Sequence, residues 1–310
     1  MVKVIKDLGI SVRARLLRVS KTMGVNFDFI LNRYAVERIL YRLSLSQYSE
    51  QFVLKGATLV LSRFDAPFRM TRDIDLMSLD NATPENFESL FMEILDIEVH
   101  DGISFDKESI KAHRFQDTNP YSGVRLQLSA ELDSARIKFG IDINHGDAIE
   151  PGLEEIEYPV LLEMPAPSMR GYALETVIAE KFHAMVMHGA TNSRIKDYVD
   201  IFQLRQSFEF ERLRIAEAIS ATFANRQTEI PTDTPPALSA SFSKNPMRTK
   251  QWEEFKRKSI FFDPGTLPNV VKAVEDFVMP AASDAIILSR KRGDKPVAIE
   301  RALPYLMSLN

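Results

Sequence analysis

Two aspartates one residue apart, in Asp73-Ile74-Asp75-Leu76, are the residues whose types and spacing first suggest chemistry. Read as a β-strand, the stretch alternates faces, so both carboxylates point one way while Ile74 and Leu76 anchor the strand in a core. Two carboxylates fixed on one face of a rigid strand make half of a site for a hard divalent cation. Such a cation takes oxygen ligands and keeps room for phosphate oxygens. Upstream, Lys55-Gly56-Ala57 is a glycine-small turn. There the backbone can approach a ligand closely, and its N–H groups can meet an anion. Alone, an acid-x-acid pair is a weak signal, because an exposed strand with two surface acids reads the same way.

A third acid strengthens it. Asp142 lies in Phe139-Gly140-Ile141-Asp142-Ile143-Asn144, within a strand expected over 135–144. Ile137, Phe139, Ile141 and Ile143 share one face of that strand; Lys138, Gly140, Asp142 and Asn144 share the other. Gly140 leaves space beside the carboxylate, which must be solvated, paired or metal-bound, since burying it alone is too costly. Sheet pairing is expected to bring Asp142 beside Asp73 and Asp75 as a third metal ligand. An outward acid on an edge strand is the alternative. Gly146-Asp147 reads as the turn that follows.

The second half of the chain carries another group. Glu180 and Lys181 sit within an apolar helical stretch, Val177 to Val186, and Asp197 and Asp200, three apart, are neighbours on one helical face. Arg194 lies three residues before Asp197. Helix-surface ion pairing would give the same pattern. The functional reading has Lys181 reach a triphosphate while Asp197 or Asp200 orients it or assists the metal site.

The elements that must position these residues follow from periodicity. Helices are expected over 7–23 and 27–44, the second capped by Asn26 or Asp28. A short element at Val53-Leu54 precedes a helix from Thr58 to Phe64, broken at Ala66-Pro67, and Arg69, Thr71 and Arg72 lead into the strand from Asp73 to Met77. A helix over 84–97 has Thr83 as cap and Pro84 at its first position. Strands are expected over 110–115, 123–131 and 135–144. Pro159, Pro165 and Pro167 mark a boundary, after which the pattern is helical: 174–186, 194–204, 211–224, 248–258 and 267–278. This divides the chain into 1–165, a domain opened by helices, and 166–310, a mainly helical domain.

Composition bounds the alternatives. The 310 residues are 45% hydrophobic and 26% charged, with net charge −4 and no cysteine. That excludes a disulfide framework and thiolate metal sites, fits a reducing cytoplasm, and leaves a nucleic-acid partner to local basic patches. No stretch reaches the length of a membrane span, and the N-terminus lacks the apolar run of a signal peptide. Residues 1–44 hold nine Lys and Arg against three acids. A solvated face on two packed helices explains this excess; a basic arm meeting a phosphate backbone would also produce it. Further basic runs occupy Lys244 to Lys258 and Arg290 to Lys295.

Taken in order, Lys55-Gly56-Ala57, Arg69-x-Thr71-Arg72-Asp73-Ile74-Asp75-Leu76, Ile141-Asp142-Ile143, Glu180-Lys181 and Arg194-Ile195-Lys196-Asp197-Tyr198-Val199-Asp200 resemble the AbiEii/AbiGii nucleotidyltransferase toxins of abortive-infection and type IV toxin–antitoxin systems. The resemblance spans roughly 27–204 and is specific because five motifs fall in order. It implies an α+β fold: a polymerase-β-like nucleotidyltransferase core with a mixed sheet, followed by a helical C-terminal region. It implies Mg²⁺ or Mn²⁺ held by Asp73, Asp75 and Asp142, with Lys181, Asp197 and Asp200 completing the catalytic set. Lys55, Gly56, Ala57, Arg69, Thr71, Arg72, Lys181 and Arg194 become candidates for binding a nucleoside triphosphate. Ala57 departs from the Ser or Gly usual in the wider superfamily, which leaves the backbone to meet phosphate without a hydroxyl. The implied acceptor is RNA, with tRNA 3′ ends known for some members, and a cognate antitoxin is the implied partner. A small-molecule hydroxyl as acceptor and a non-catalytic nucleotide-binding module are the competing readings.

Overall fold

The structure, a computed structural model, describes residues 2–64, 69–115, 123–258 and 262–292. The Ala66-Pro67 break and the end of the basic run at Lys295 lie outside the described residues. Contacts divide the chain into two compact units, Met1–Gly146 with Glu154–Gly171, and Asp147–Leu153 with Tyr172–Asn310.

The first unit opens with helices α1 (Val2–Met23) and α2 (Phe27–Leu45), followed by β1 (Phe52–Leu54), α3 (Gly56–Ser62), β2 (Ile74–Ser78) and α4 (Pro84–Leu95). A long meander follows: β3 (Ile103–Phe115), β4 (Gly123–Leu132) and β5 (Ala135–His145). Strands β6 (Leu153–Glu157) and β7 (Ser168–Tyr172) complete a seven-stranded sheet in the order β3-β4-β5-β2-β1-β7-β6. The sheet is mixed: β2 runs parallel to β5 and antiparallel to β1, and β4 runs antiparallel to both β3 and β5. Strand β5 is therefore interior, flanked by β4 and β2, so the edge-strand account of Asp142 does not hold.

Local sequence explains the elements. Asn26 caps α2, its side chain accepting from Asp28 N–H at 2.7 Å. Thr83 caps α4 with Pro84 at the first position. One face of the sheet is aliphatic and closed: Ile74, Leu76, Leu126, Ile141 and Ile143 are all buried, each burial contributing roughly 1.5–3 kcal/mol. Phe52 of β1 packs its ring 6.1 Å from Phe87 and 5.7 Å from Phe91 of α4. Strand β3 starts at Ile103 rather than 110, because its alternation is irregular and pairing with β4, not pattern, sustains it.

The second unit is helical: α5 (Leu174–His188), α6 (Ile195–Ser207), α7 (Arg212–Asn225), the single turn α8 (Ala240–Ser243), α9 (Pro246–Lys258) and α10 (Leu267–Arg292). Helix α10 runs past the expected end at 278 and carries Pro280 inside it. An interior proline costs about 3 kcal/mol. A stripe of Val274, Val278, Ala281, Ala282 and Ala285, each fully buried, spans that position and offsets the cost. The chain thus has the expected α+β architecture with a mixed sheet and a helical C-terminal region.

Candidate active site

The site is built on the open face of the sheet, opposite the aliphatic one. Strand β2 begins at Ile74, so Asp73 stands just ahead of it and Asp75 within it. The parallel register sets Asp75 opposite Asp142 on the neighbouring strand, a strand spacing of about 4.8 Å. A Cβ added at Gly140 would lie 3.0 Å from Asp73 Oδ1, so the Asp73 carboxylate sits over that glycine. Asp73 is exposed and Asp75 and Asp142 are half-buried.

Three residues of α3 hold this arrangement. Gly56 has φ +59°, and a Cβ there would lie within 2.7 Å of Asp75 Cβ. Its bare backbone admits the Asp75 side chain, whose Oδ2 accepts from Ala57 N–H at 3.0 Å. The Gly56-Ala57 turn therefore meets a carboxylate of the protein itself. Thr58, fully buried, donates its hydroxyl to the Asp73 carbonyl at 2.9 Å and fixes the entry to β2. Lys55 N–H bonds the Asp75 carbonyl at 3.0 Å, and the Lys55 residue is buried. Arg69 is buried, Thr71 half-buried and Arg72 exposed.

Arg125 of β4 is the residue that sequence reasoning passed over. It lies opposite Asp142 and donates from both Nε and Nη2 to the two carboxylate oxygens, each at 2.5 Å. Hydrogen bonding to Asp142 raises the guanidinium pKa; burial opposes this, and the charges of Asp142, Asp73 and Asp75 reinforce it. A signal was available. Leu132 and Ala135 pair across the Asp133-Ser134 turn, and seven residues outward along each strand stand Arg125 and Asp142. Beside the pair opens a cleft of about 650 Å³, lined by Asp73, Lys111, Arg125, Arg136, Lys138 and Gly140 among others.

The donor chemistry of Asp73 and Asp75 suits a hard cation. The usual protein share of an Mg²⁺ site is one or two carboxylates, the remaining positions going to water and phosphate oxygens. Asp142 stands alongside with both oxygens given to Arg125. Among the described residues no group of three or more His, Cys, Asp or Glu side chains is arranged to hold a metal ion. The three acids are thus brought to one face without forming a cage.

Within the second unit, Lys181 of α5 lies buried between two acids of α6, its Nζ 2.8 Å from Asp197 Oδ1 and 2.8 Å from Asp200 Oδ2. Arg194 Nε donates to Asp197 Oδ2 at 2.6 Å. Burial pushes the Asp197 pKa up, but Lys181 and Arg194 outweigh it and bring it down to about 2. Lys181 is therefore an ion-paired lysine, not one reaching to solvent. Glu180 points elsewhere, to Arg226 at 3.0 Å. Arg226 also meets buried Asp147 at 3.5 Å, so the residue read as a plain turn belongs to an internal charge network.

Four of the nine basic residues of 1–44 meet partners within the fold, while Arg18 and Lys21 are exposed. Arg42 pairs with buried Asp101 at 2.7 Å, Arg38 is fully buried and donates to the Pro165 carbonyl at 3.0 Å, and Arg33 and Arg13 meet Glu37 and Asp133. Arg248 of α9 is likewise buried, its guanidinium 5.6 Å from the Phe242 ring centroid.

An open sheet face with an acid pair beside a glycine-led helix is an arrangement suited to metal-assisted phosphoryl chemistry. Residues 38–279 match the model of the nucleotidyl transferase AbiEii toxin family, type IV toxin–antitoxin system, and the chain belongs to that family. A crystal structure from H. pylori assigned as a nucleotidyltransferase is similar over 85% of this chain and 99% of its own, at 14% identity and a TM-score of 0.49. JHP933 from Helicobacter pylori is similar over 83% of this chain and 93% of its own, at 16% identity and a TM-score of 0.45. Among curated proteins, no sequence matches the chain.

Proposed function

We propose that this protein transfers a nucleotide from a nucleoside triphosphate to an RNA 3′ hydroxyl, with tRNA as the acceptor class, in a cation-dependent reaction in the cytoplasm. The observation that carries the reading is the alignment of Asp75 with Asp142, beside Asp73, on an open sheet face in a chain of the AbiEii family. Membership of a toxin–antitoxin family implies a cognate antitoxin that restrains the activity.

In the reaction the acceptor oxygen forms a bond to the α-phosphorus. The bond from that phosphorus to the oxygen bridging to the β-phosphorus breaks, and pyrophosphate leaves with the electron pair. The hydroxyl proton passes to a carboxylate oxygen of the site or to solvent. Mg²⁺ or Mn²⁺, when bound, would neutralise triphosphate charge and acidify the attacking hydroxyl. Asp73 and Asp75 would hold the cation, Asp75 kept in place by Ala57 N–H and the Asp73 backbone by Thr58. Positioning and charge neutralisation, rather than covalent participation, are what such a transfer asks of a protein.

The test incubates purified protein with each labelled triphosphate and Mg²⁺ or Mn²⁺, offering total RNA in one arm and an aminoglycoside in another. Label on RNA that disappears in Asp73→Asn, with unchanged melting, supports the reading. Label on the aminoglycoside alone moves the acceptor to a small-molecule hydroxyl, and no transfer under any condition refutes the proposal.

A further inference from the structure

Two Arg–Asp pairs in the first unit have the same two-pronged geometry and different settings. Arg42 and Asp101 are buried, with side chains 5% and 1% exposed, and Asp101 also orders the start of β3 by accepting from Ile103 N–H. That pair is structural. Arg125 and Asp142 are 40% and 16% exposed, on the open face, and Arg125 lines the cleft. The closed face of β4 is supplied by Val124, Leu126 and Leu128, so Arg125 takes no part in that core.

What Arg125 does satisfy is charge. Asp73, Asp75 and Asp142 bring three carboxylates to one face, where their like charges repel one another. A guanidinium gripping Asp142 through both oxygens offsets this without a cation. It also occupies the oxygens that Asp142 would offer to a metal. Arg125 is partly exposed and lines a cleft that holds Lys111, Arg136 and Lys138 together with Asp73, Asp106 and Glu108, Arg136 lying 3.6 Å from Asp106. The Arg125 guanidinium also lies 5.6 Å from the Phe115 ring centroid, a second contact that does not depend on Asp142.

We propose that Arg125 is a positioning residue that stands in for the cation: it holds Asp142 while the site is cation-free and turns to the anionic substrate once Asp142 is taken. This rests on the reading that the Asp73, Asp75 and Asp142 face takes a divalent cation. The exchange couples the two ligands. Arg125 weakens cation binding when no phosphate is present and strengthens phosphate binding when the cation is in place, and by linkage each ligand favours the other.

The test measures Mn²⁺ binding to the full chain by electron paramagnetic resonance, for the wild type, Arg125→Gln, the Arg125→Gln/Asp142→Asn double variant and Asp75→Asn. Removing an ion pair of this exposure and bidentate geometry should tighten Mn²⁺ binding roughly fivefold in Arg125→Gln. The double variant should lose that gain. The Mn²⁺ complex of inorganic tripolyphosphate should bind Arg125→Gln more weakly than wild type. Arg125→Lys, measured alongside, keeps the positive charge and loses the two-pronged grip, so tightening there as well separates release of Asp142 from the mere loss of a nearby charge. Unchanged or weaker Mn²⁺ binding in Arg125→Gln overturns the stand-in role, and unchanged tripolyphosphate binding overturns the turn to substrate. Failure of every protein to bind Mn²⁺, or full retention of binding in Asp75→Asn, overturns the cation reading itself and the inference with it.

Discussion

Gly56→Ala should be among the most damaging single-methyl changes in the first unit. The residue has φ +59°, where an L side chain costs about 1–2 kcal/mol. The new Cβ would also fall within 2.7 Å of Asp75 Cβ, on side-chain atoms close to their backbone rather than at a flexible tip. Asp75 must move, and the charge-assisted bond from Ala57 N–H at 3.0 Å is strained or lost, worth about 1.5–3 kcal/mol at full loss. Partial relaxation of half-buried Asp75 leaves a net cost of about 2–4 kcal/mol. Gly140→Ala is the control. Its one tight contact would be Asp73 Oδ1 at 3.0 Å, the end of an exposed side chain that can swing aside, while the Leu126 carbonyl oxygen at 3.6 Å is at ordinary contact distance. Its cost should stay within about 0.5 kcal/mol. The single tryptophan, Trp252, lies in the second unit, so the assay is urea denaturation followed by far-UV circular dichroism, with hydrogen exchange over β2. Faster exchange in β2 and a lower midpoint are expected for Gly56→Ala. A Gly56→Ala protein within about 0.5 kcal/mol of wild type, or a Gly140→Ala protein equally destabilised, would refute the steric argument.

Two further outcomes follow from buried charge. Lys181→Met should destabilise the second unit by about 3–5 kcal/mol, because it removes the ammonium buried between Asp197 and Asp200, and adding Asp197→Asn should recover part of the loss; Trp252 fluorescence in urea measures both, and a silent Lys181→Met would mean the double ion pair is not formed in solution. Glu37 is pushed up to about 7 by burial, against Arg33 and the Leu161 N–H, from an ordinary 4.5. Its stabilising contribution is therefore fully present below the unfolded value and is lost as pH rises through about 7. Glu37→Gln should flatten the stability profile between those values, and an unchanged slope would show that Glu37 does not titrate there.

The strands carrying the acids were legible because alternation has a period of two and a run such as Ile137, Phe139, Ile141 and Ile143 leaves one reading. The caps at Asn26 and Thr83 were legible for the same local reason. What was not legible depended on distant partners. Glu37, Arg38 and Arg42 read as a solvated helix face, yet their partners Leu161, Pro165 and Asp101 come from far along the chain and bury them. Lys181 was expected to face a ligand; its clamp by Asp197 and Asp200 needed α5 and α6 to be packed together first. The full reach of α10 was hidden by Pro280, whose penalty is outweighed only once the valine and alanine stripe has a surface to meet.

The Asp133-Ser134 turn has a consequence for how this gene can vary. Neither residue is placed at the site, though Asp133 sits at φ +54° and meets Arg13, a backbone conformation best suited to Gly, Asn or Asp. Their number is another matter. Asp142 is fixed opposite Asp75 by β2, while Arg125 reaches it only because the turn sets β4 against β5 in one register. One codon gained or lost there would turn the face of every residue on one strand relative to its partner. Arg125 would then confront an aliphatic neighbour. Lineages of this protein should therefore keep a constant length between Leu132 and Ala135 while residue identity varies among turn-formers, with Gly, Asn or Asp at 133, a constraint that sequencing alone can check.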